Sequence, residues 1–492
     1  MNAVTTTQAT STRFEAMPIG GEWRTGNSSF ATVDLDPWSG ETLLSIPSAD
    51  ASDVDEAFRT AKRCQQSWAA LPPRARADVM RTAAQIMMSR HDEILWWLIH
   101  EIGCTVARAE LEFDVVRGVL FEASTMPHHV TGQILTSDIP GKENRVYRTP
   151  VGVVTVISPW NFPMHLSNRS VAPALAVGNA VVLKPASDSP VTGGLLLAEI
   201  LEQAGLPPGV LNVVIGSGRE IGDLIVQHPG SRHISFTGSS SVGLGITQKA
   251  GVKRLGLELG GNGPMVILDD ADLDAALDAA SFGAFLHQGQ ICMRANRIIV
   301  DTTVHDEFLE RFTDRVRGLR IGDPSDPATK IGPVINRAQL GTILDKINRA
   351  VGQGARVLLG GDPTGPYGLS LPPHVLSADN HVATAQEEVF GPVITIVRAD
   401  NEADALAMAN DTEYGLSSAV FTADAERGVK FALQVETGMT HVNDSPLNDE
   451  GHMAFGGEKS SGIGRFGGIW AVEEFTTDHW ISVQHTPRKF PL

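Results

Sequence analysis

Short apolar runs alternate with helical patterns through most of this chain, and that alternation limits what it can fold into. Between positions 150 and 260, runs typical of buried strands lie at 151–157, 180–183, 210–215, 233–236 and 255–259. Helical patterns separate them, for example at 192–204 and 222–227. Continuous apolar strands separated by helices indicate βαβ units and a largely parallel sheet covered on both faces.

A second series of strand and helix signals follows in the second half of the chain. Its helical patterns and strand-like runs lie at 272–288, 305–319, 337–353 and 402–409, and at 297–300, 356–359, 393–398 and 419–422. Longer helical patterns at about 52–70, 74–100 and 105–127 precede the first series. The sequence therefore predicts an α/β fold with two Rossmann-like parallel-sheet domains, joined at 258–269.

Two segments, at 128–150 and 472–485, fit neither series. Within them, 145–149 and 480–484 alternate apolar and polar residues, which is typical of half-exposed antiparallel strands. Such strands could pair within an oligomer, or they could be ordinary edge strands. We expect them to form a small antiparallel extension.

Composition and charge narrow the classes of partner and the compartment. The 492 residues carry a formal net charge of −18, which argues against binding nucleic acid or an anionic membrane surface. Three cysteines are too few for a disulfide framework, and the N-terminus shows no secretory signal. No apolar run approaches the roughly 18 residues that span a bilayer. We expect a cytoplasmic protein.

One cysteine lies in a sequence context that suggests covalent chemistry. Cys292 follows an apolar helical pattern and Gly289, whereas Cys64 and Cys104 fit structural positions. Glu258 and Asn161 both follow strand-like runs upstream. A thiol, a carboxylate and a side-chain amide are the nucleophile, base and oxyanion donor that acyl transfer through sulfur requires.

Two glycine-containing turns are candidates for binding a dinucleotide. The segment 216–222 nearly matches the Rossmann fingerprint but has one residue too many, and an ordinary loop explains it equally well. In 236–243 a strand runs into a small-residue turn, where Gly238, Ser239 and a helix start could hold a pyrophosphate. A capped helix start without ligand is the alternative. Lys184 ends another strand, where open α/β sheets bind ligands.

Taken together, these segments make the chain resemble the aldehyde dehydrogenase superfamily from about Pro18 to Gln484. The motifs that carry the resemblance occur in the family's order, at 159–163, 178–185, 236–239, 258–261, 289–292, 387–392 and 455–462. The run 166–170 and the segments 456–459 and 470–477 resemble the branch that oxidises benzaldehyde and vanillin. Seven motifs in order make a chance match improbable.

The resemblance implies a catalytic mechanism. Cys292 as thiolate attacks the aldehyde carbon, and the Asn161 amide with the Cys292 backbone N–H holds the oxyanion. Hydride leaves for a nicotinamide and a thioester remains, which Glu258-activated water hydrolyses. A glutamate at this position implies a free carboxylic acid as product rather than a coenzyme A ester. No metal is implied.

The resemblance also assigns cofactor-binding and substrate residues. The cofactor would lie against Ile157, Trp160, Lys184, Ser187, Gly238, Ser239, Glu388 and Phe390. The substrate would meet Phe162, His165, Arg169, Met293 and Phe455. Many NAD-preferring members carry a glutamate where this chain has Ser187, and a carboxylate would repel the 2′-phosphate of NADP. We therefore expect the chain to use both NAD and NADP.

The substrate class leaves alternatives open. A tunnel edged by aromatic and apolar residues suits an aromatic aldehyde, whereas Arg169 could pair with the carboxylate of a semialdehyde. An aliphatic aldehyde, a thiol hydrolase acting without nicotinamide, and a non-catalytic binding or structural protein that retains the fold are further hypotheses. The intact set of Cys292, Glu258 and Asn161 disfavours the last.

The resemblance further implies a division into domains and an assembly. Residues 1–127 and 151–258 would form the dinucleotide-binding domain, and 259–455 the catalytic domain. The strands within 128–150 and 472–485 would mediate oligomerisation. Members of the family are dimers or tetramers, so we expect a homodimer or homotetramer.

Overall fold

The computed structural model describes residues 12–491, and its architecture is two parallel-stranded sheets flanked by helices, with a small antiparallel sheet. The strands are β1 (Met17–Ile19), β2 (Glu22–Arg24), β3 (Ala31–Leu35), β4 (Thr42–Pro47), β5 (Gln133–Leu135), β6 (Lys142–Pro150), β7 (Val153–Ile157), β8 (Ala180–Lys184), β9 (Leu211–Val213), β10 (His233–Thr237), β11 (Arg254–Glu258), β12 (Gly263–Ile267), β13 (Ala295–Asp301), β14 (Arg356–Leu359), β15 (His374–Ser377), β16 (Val393–Ala399), β17 (Tyr414–Gly415), β18 (Ser417–Phe421), β19 (Met439–Val442), β20 (Glu458–Lys459), β21 (Gly462–Ile463) and β22 (Thr476–Gln484).

The α-helices alternate with these strands and cover both faces of the large sheets. They are α1 (Ala51–Ala69), α2 (Pro73–Ser89), α3 (His91–Ile102), α4 (Val106–Ala123), α5 (Pro163–Ala176), α6 (Leu196–Gln203), α7 (Asp223–Gln227), α8 (Ser240–Lys249), α9 (Leu273–Phe285), α10 (His305–Arg317), α11 (Arg337–Gly352), α12 (Ala383–Gln386), α13 (Glu402–Asn410), α14 (Ala425–Ala432) and α15 (Gly468–Glu474). None of the helices within residues 12–491 is long and apolar enough to cross a membrane.

The first large sheet contains the five predicted strands of the first series. Its order is β21-β11-β10-β7-β8-β9, and every neighbouring pair is parallel except β11 with β21. The strands β7, β8 and β10 are almost entirely buried, as expected for a sheet with helices on both faces. The predicted α/β class is confirmed.

The second large sheet has seven strands in the order β14-β15-β16-β13-β12-β18-β19, with only the edge strand β14 antiparallel. The segment 258–269, expected to join the two series, also contributes a strand that was not predicted. This segment contains β12, a fully buried strand paired with β13 and β18. The strand begins with Gly263 and Pro264. Both residue types are typical of turns, so the sequence pattern did not indicate a strand there.

Two predicted helices are interrupted, and each interruption has a local cause. The single helix predicted at 74–100 is instead two helices that meet at Arg90, because the backbone angles of Arg90 (φ −109°, ψ 19°) lie outside the helical region. The helix predicted at 272–288 ends at Phe285, because Leu286 leaves the helical region (φ −53°, ψ 136°); His287 and Gln288 then adopt left-handed angles (φ 51° and 56°). A further predicted helix, 192–204, begins with a wide π-turn at Val191–Leu195 before α6.

The segments that fitted neither series form a three-stranded antiparallel sheet in the order β22-β6-β5. The two alternating stretches predicted as strands pair with each other, for example Trp480 with Val146 and Ile481 with Arg145. Large apolar side chains on this sheet are exposed, including Ile134 at 76% and Trp480 at 66%. Because Ile134 is in register with Arg145 and Trp480 with Val146, these two side chains lie on opposite faces, and the described part of the chain leaves both exposed.

Candidate active site

A tight turn after α9 presents Cys292 to the interior. Three consecutive residues, His287, Gln288 and Gly289, have positive φ angles of 51°, 56° and 69°. A side chain at Gly289 would place its Cβ 2.2 Å from the backbone oxygen of Gly391, and one at Gly261 would lie 2.2 Å from the backbone oxygen of Cys292. Close backbone approach therefore requires glycine on both sides of the half-buried thiol.

Asn161 is held both by its side chain and by its backbone. Its Nδ2 donates a hydrogen bond of 2.9 Å to the backbone oxygen of Gln290, two residues before Cys292. Its own backbone oxygen accepts a hydrogen bond from Arg108, a fully buried residue that pairs with Glu112 on the same helix. The predicted oxyanion donor is thereby fixed beside the loop that carries the thiol.

Glu258 ends β11 and is fully buried. Its Oε2 accepts a hydrogen bond of 2.7 Å from Nη2 of Arg169, on α5. The other oxygen, Oε1, has no hydrogen-bond partner among residues 12–491. One side of the carboxylate is therefore anchored, and the other stays free to accept a proton or hold a water molecule.

Arg169 is enclosed by aromatic rings and acidic groups. Its guanidinium lies 4.5 Å from the ring centre of Phe455 and 4.6 Å from that of Phe466. It also lies 3.8 Å from a carboxylate oxygen of Asp449. Cation–π contacts and two carboxylates compensate the burial of this charge.

The electrostatics of the site keep the thiol protonated at rest. Burial raises the pKa of Cys292 well above the usual value of a thiol, and the negative charge of Glu258 raises it further. Arg169 acts in the opposite direction without cancelling the effect. The thiol must therefore lose its proton before it can act as a nucleophile.

Two cavities meet at the thiol. The first, about 190 Å³, is mainly apolar and includes Phe162, Phe282, Leu286, Met293 and Phe455 in its wall. The second is a groove of about 240 Å³ whose wall includes Trp160, Gly238, Ser239, Glu388 and Phe390. Asn161, Leu166 and Cys292 line both, and Glu258 lines the second. A molecule in either cavity can therefore reach Cys292.

The groove has the chemical features that a dinucleotide requires. Ser239 precedes α8 and makes no capping hydrogen bond with its side chain, so the first-turn N–H groups remain available to a phosphate. Glu388 accepts a hydrogen bond of 2.9 Å from the Gly261 N–H, and burial raises the pKa of Glu388 to about 7. Trp160 and Phe390 meet edge to face, with ring centres 5.5 Å apart. Five of the eight predicted cofactor residues line this groove.

The other three predicted cofactor residues, Ile157, Lys184 and Ser187, are not among those that line the groove. Lys184 is buried, its Nζ donates to the backbone oxygen of Pro185, and burial lowers its pKa to about 8. The Ser187 hydroxyl donates to the backbone oxygen of Gly216 at 3.4 Å. Their assignment to the cofactor stays a prediction.

All five predicted substrate residues, Phe162, His165, Arg169, Met293 and Phe455, line the apolar cavity. Two of them already have protein partners, since Arg169 donates to Glu258 and His165 Nε2 lies 2.8 Å from Asp449 Oδ2. Other residues of this wall were not predicted, including Leu111 and Val115 on α4, Phe282 on α9 and Asp449. No local pattern marks them, because distant segments bring them together. The Arg108–Glu112 pair was also missed, although charges four residues apart on an apolar helix were a signal.

Two parallel-stranded sheets flanked by helices hold a thiol, an amide and a carboxylate where an apolar cavity meets a groove. This arrangement defines a class of enzyme. The chain belongs to the aldehyde dehydrogenase family, and the family model matches residues 23–481. It is 49% identical to a vanillin dehydrogenase of Corynebacterium glutamicum over 95% of this chain and 97% of the relative.

Further relatives belong to the same group. The chain is 46% identical to a benzaldehyde dehydrogenase of Bacillus subtilis, over 96% of this chain and 98% of the relative. Among solved structures, the fold matches that of an NAD-dependent benzaldehyde dehydrogenase from Corynebacterium glutamicum with a TM-score of 0.89 and 46% identity. That match covers 96% of this chain and 97% of the other.

Proposed function

We propose that this protein oxidises aromatic aldehydes to carboxylic acids, with NAD or NADP as the hydride acceptor. The observation that carries the proposal is the position of Cys292 at the meeting point of an apolar cavity and a groove suited to a dinucleotide. The similarity to vanillin and benzaldehyde dehydrogenases supports the aromatic class.

In the first half of the reaction Cys292 forms a bond to the substrate carbon. The thiol loses its proton to solvent, and the thiolate attacks the aldehyde carbon. The oxygen of the resulting thiohemiacetal becomes negative. Asn161 Nδ2, which is oriented by Gln290, donates a hydrogen bond to it together with the Cys292 N–H.

In the second half the acyl group leaves the enzyme as a carboxylic acid. A bound nicotinamide dinucleotide would take up the hydride that the thiohemiacetal carbon loses, and a thioester to Cys292 remains. Glu258 accepts a proton from water, the water oxygen attacks the thioester carbon, and Glu258 returns the proton to the Cys292 sulfur as the acid leaves. The buried glutamate beside the thiol favours hydrolysis over transfer to coenzyme A.

The cavity favours an aromatic ring over a dicarboxylic semialdehyde. Phe162, Phe282 and Phe455 offer ring faces and edges to a flat substrate. The alternative, that Arg169 binds a substrate carboxylate, is disfavoured because Glu258 already occupies its guanidinium and Asp449 lies nearby. A short aliphatic aldehyde remains the second candidate, since it would also enter an apolar cavity.

The test is a substrate panel with both nicotinamides. We expect kcat/KM for benzaldehyde and vanillin to exceed that for hexanal and succinic semialdehyde, and Cys292→Ala to abolish NADH and NADPH formation. Cys64→Ala is the matched control because Cys64 lies on α1, away from both cavities. Higher kcat/KM for the aliphatic aldehydes would contradict the aromatic assignment. Absence of turnover with every aldehyde would favour a non-catalytic protein.

We also propose that the chain forms a homodimer or homotetramer through the β22-β6-β5 sheet, and that its domains divide as the sequence predicts. The exposed Ile134 and Trp480 on this sheet support the assembly. Light scattering should show a smaller mass for Trp480→Lys. The control is Leu433→Lys, at a more exposed apolar position outside this sheet (82% against 66% for Trp480). An unchanged mass would contradict the interface. The cytoplasmic location stays a prediction.

A further inference from the structure

Asp449 places a negative charge in the wall of the mainly apolar cavity. It lines the same cavity as Cys292, and its side chain is 11% exposed. Its Oδ2 lies 2.8 Å from His165 Nε2 and 3.8 Å from Nη1 of Arg169. Within residues 12–491 no group donates a hydrogen bond to its other oxygen, Oδ1, and that oxygen is not sealed from solvent.

The location of Asp449 relative to Cys292 suits contact with the far part of a substrate. A further cavity of about 350 Å³ adjoins the apolar one, and Asn448, Asp449 and Phe455 line both. Cys292 lines the apolar cavity but not the further one. Asp449 therefore lies where the substrate cavity opens away from the thiol, on the side that ring substituents would reach.

The carboxylate is ionised at neutral pH. Burial opposes ionisation, but the hydrogen bond from His165 and the nearby charges of His165 and Arg169 outweigh it and lower the pKa of Asp449. An ionised carboxylate accepts hydrogen bonds and does not donate them. A substrate that covers it with a purely apolar ring would leave Oδ1 without water or partner, which is unfavourable.

We propose that Asp449 selects among aromatic aldehydes. Its Oδ1 accepts a hydrogen bond from a hydroxyl group on the substrate ring, and its charge repels aldehydes that carry a carboxylate. This inference rests on the proposed aromatic function and adds the ligand chemistry of one wall of the cavity. A hydroxyl group on the substrate can donate a hydrogen bond to Oδ1 in place of water, whereas a methoxy group at the same position cannot donate one.

The experiment compares substrates that differ in one group. For the wild type we expect kcat/KM for 3- or 4-hydroxybenzaldehyde to exceed that for the corresponding methoxybenzaldehyde by about 10- to 100-fold, the range typical of a hydrogen bond to a charged group. Asp449→Leu should reduce this ratio to near one. Asp449→Asn, which removes the charge and keeps the shape, should raise kcat/KM for 4-carboxybenzaldehyde relative to benzaldehyde by about 10-fold or more.

Asn448→Leu is the matched control. Asn448 lines both cavities beside Asp449 but carries no charge, so its replacement should leave the discrimination between benzaldehyde and 4-carboxybenzaldehyde unchanged. Ratios of two substrates on one variant cancel losses of folded or active protein, and circular dichroism verifies that each variant is folded.

The outcomes separate this inference from the proposed function. If the wild type oxidises benzaldehyde well and the ratios stay the same in both Asp449 variants, the role of Asp449 is wrong and the aromatic function stands. If the wild type prefers hexanal to benzaldehyde, the aromatic function is wrong. The role of the Asp449 charge is then tested by the ratio of kcat/KM for succinic semialdehyde to kcat/KM for hexanal. Asp449→Asn should raise this ratio, and an unchanged ratio overturns the inference.

Discussion

Arg169, in the wall of the apolar cavity, and Glu258, in the wall of the groove, form a buried ion pair, with Nη2 of the arginine 2.7 Å from Oε2 of the glutamate. The side chains are 4% and 0% exposed, so water contributes little to either charge. The pair links α5 to the end of β11 and holds the proposed hydrolytic base next to the thiol. Because Arg169 is already paired with Glu258, its guanidinium is not free to bind an anionic substrate.

A double-mutant cycle measures this pair. Arg169→Met should lower the free energy of unfolding by roughly 3 to 5 kcal/mol, because it leaves a buried carboxylate without its partner. Adding Glu258→Gln should restore part of the loss, since the orphaned charge is removed. Urea titration measures both. The control is Arg311→Met, which removes surface ion pairs with Glu307 and Asp274 and for which we expect about 1 kcal/mol or less. Additive losses at positions 169 and 258 would contradict the coupling.

Replacing the proposed base separates acylation from hydrolysis. With Glu258→Gln we expect a single burst of NADH and then arrest, because the thioester to Cys292 forms but water is not activated. Stopped-flow absorbance records the burst, and mass spectrometry should locate the acyl group on Cys292. Glu402→Gln, on the surface helix α13 and away from both cavities, is the control. Steady turnover by the Glu258 variant would refute the hydrolytic role.

The reactivity of the thiol should depend on Glu258 in a defined direction. Because the Glu258 charge adds to burial in raising the pKa of Cys292, its replacement by glutamine should lower that pKa. Iodoacetamide should therefore alkylate Cys292 faster at neutral pH in Glu258→Gln than in the wild type, by several-fold. Peptide mapping distinguishes this adduct from those on Cys64 and Cys104. Slower alkylation would show that Glu258 acts on the resting thiol mainly as a proton acceptor.

Much of the fold could be predicted because its strands are short, buried and continuous in sequence. The parallel order in the first sheet follows from strands such as β7 and β8, whose residues are apolar except Thr155 and Lys184. The strand β12 escaped prediction because Gly263 and Pro264 begin it, and tertiary pairing with β13 and β18 outweighs their preference for turns.

The site was predictable where a single segment carries the chemistry. Cys292, Asn161 and Glu258 each lie in a recognisable motif, and the structure brings them to one junction. The partner of Arg169 was not predictable, because the pairing depends on how α5 approaches β11 in three dimensions. Asp449 had no signal for the same reason: its neighbours His165 and Arg169 lie more than 270 residues away in the chain.

The choice between NAD and NADP should respond to Ser187. A glutamate there should lower kcat/KM for NADP by about 10-fold or more relative to NAD, because its charge repels the 2′-phosphate. Ser187→Ala is the control for loss of the hydrogen bond to Gly216, and it should affect both cofactors equally. Equal loss with both cofactors in Ser187→Glu would place the 2′ position away from this residue.

Glu388 should make dinucleotide binding depend on pH near neutrality. Burial, aided by the charge of Glu258, raises the pKa of Glu388 to about 7, so the carboxylate ionises as the pH rises through that value. Only the ionised form can accept hydrogen bonds from both ribose hydroxyls, so the Kd for NADH should fall by about 10-fold between about pH 6 and about pH 8.

NADH fluorescence on the enzyme without substrate measures this dependence directly, and Glu388→Gln should flatten it. Glu387→Gln is the matched control, because the neighbouring Glu387 pairs with Arg349 at the surface and is not among the residues lining the groove. Since ribose hydroxyls favour the carboxylate, NADH binding at about pH 7 should also release a fraction of a proton, which weakly buffered solutions with an indicator dye detect. A Kd that changes with pH equally in the wild type and in Glu388→Gln would assign the titration to another group and remove Glu388 from the ribose.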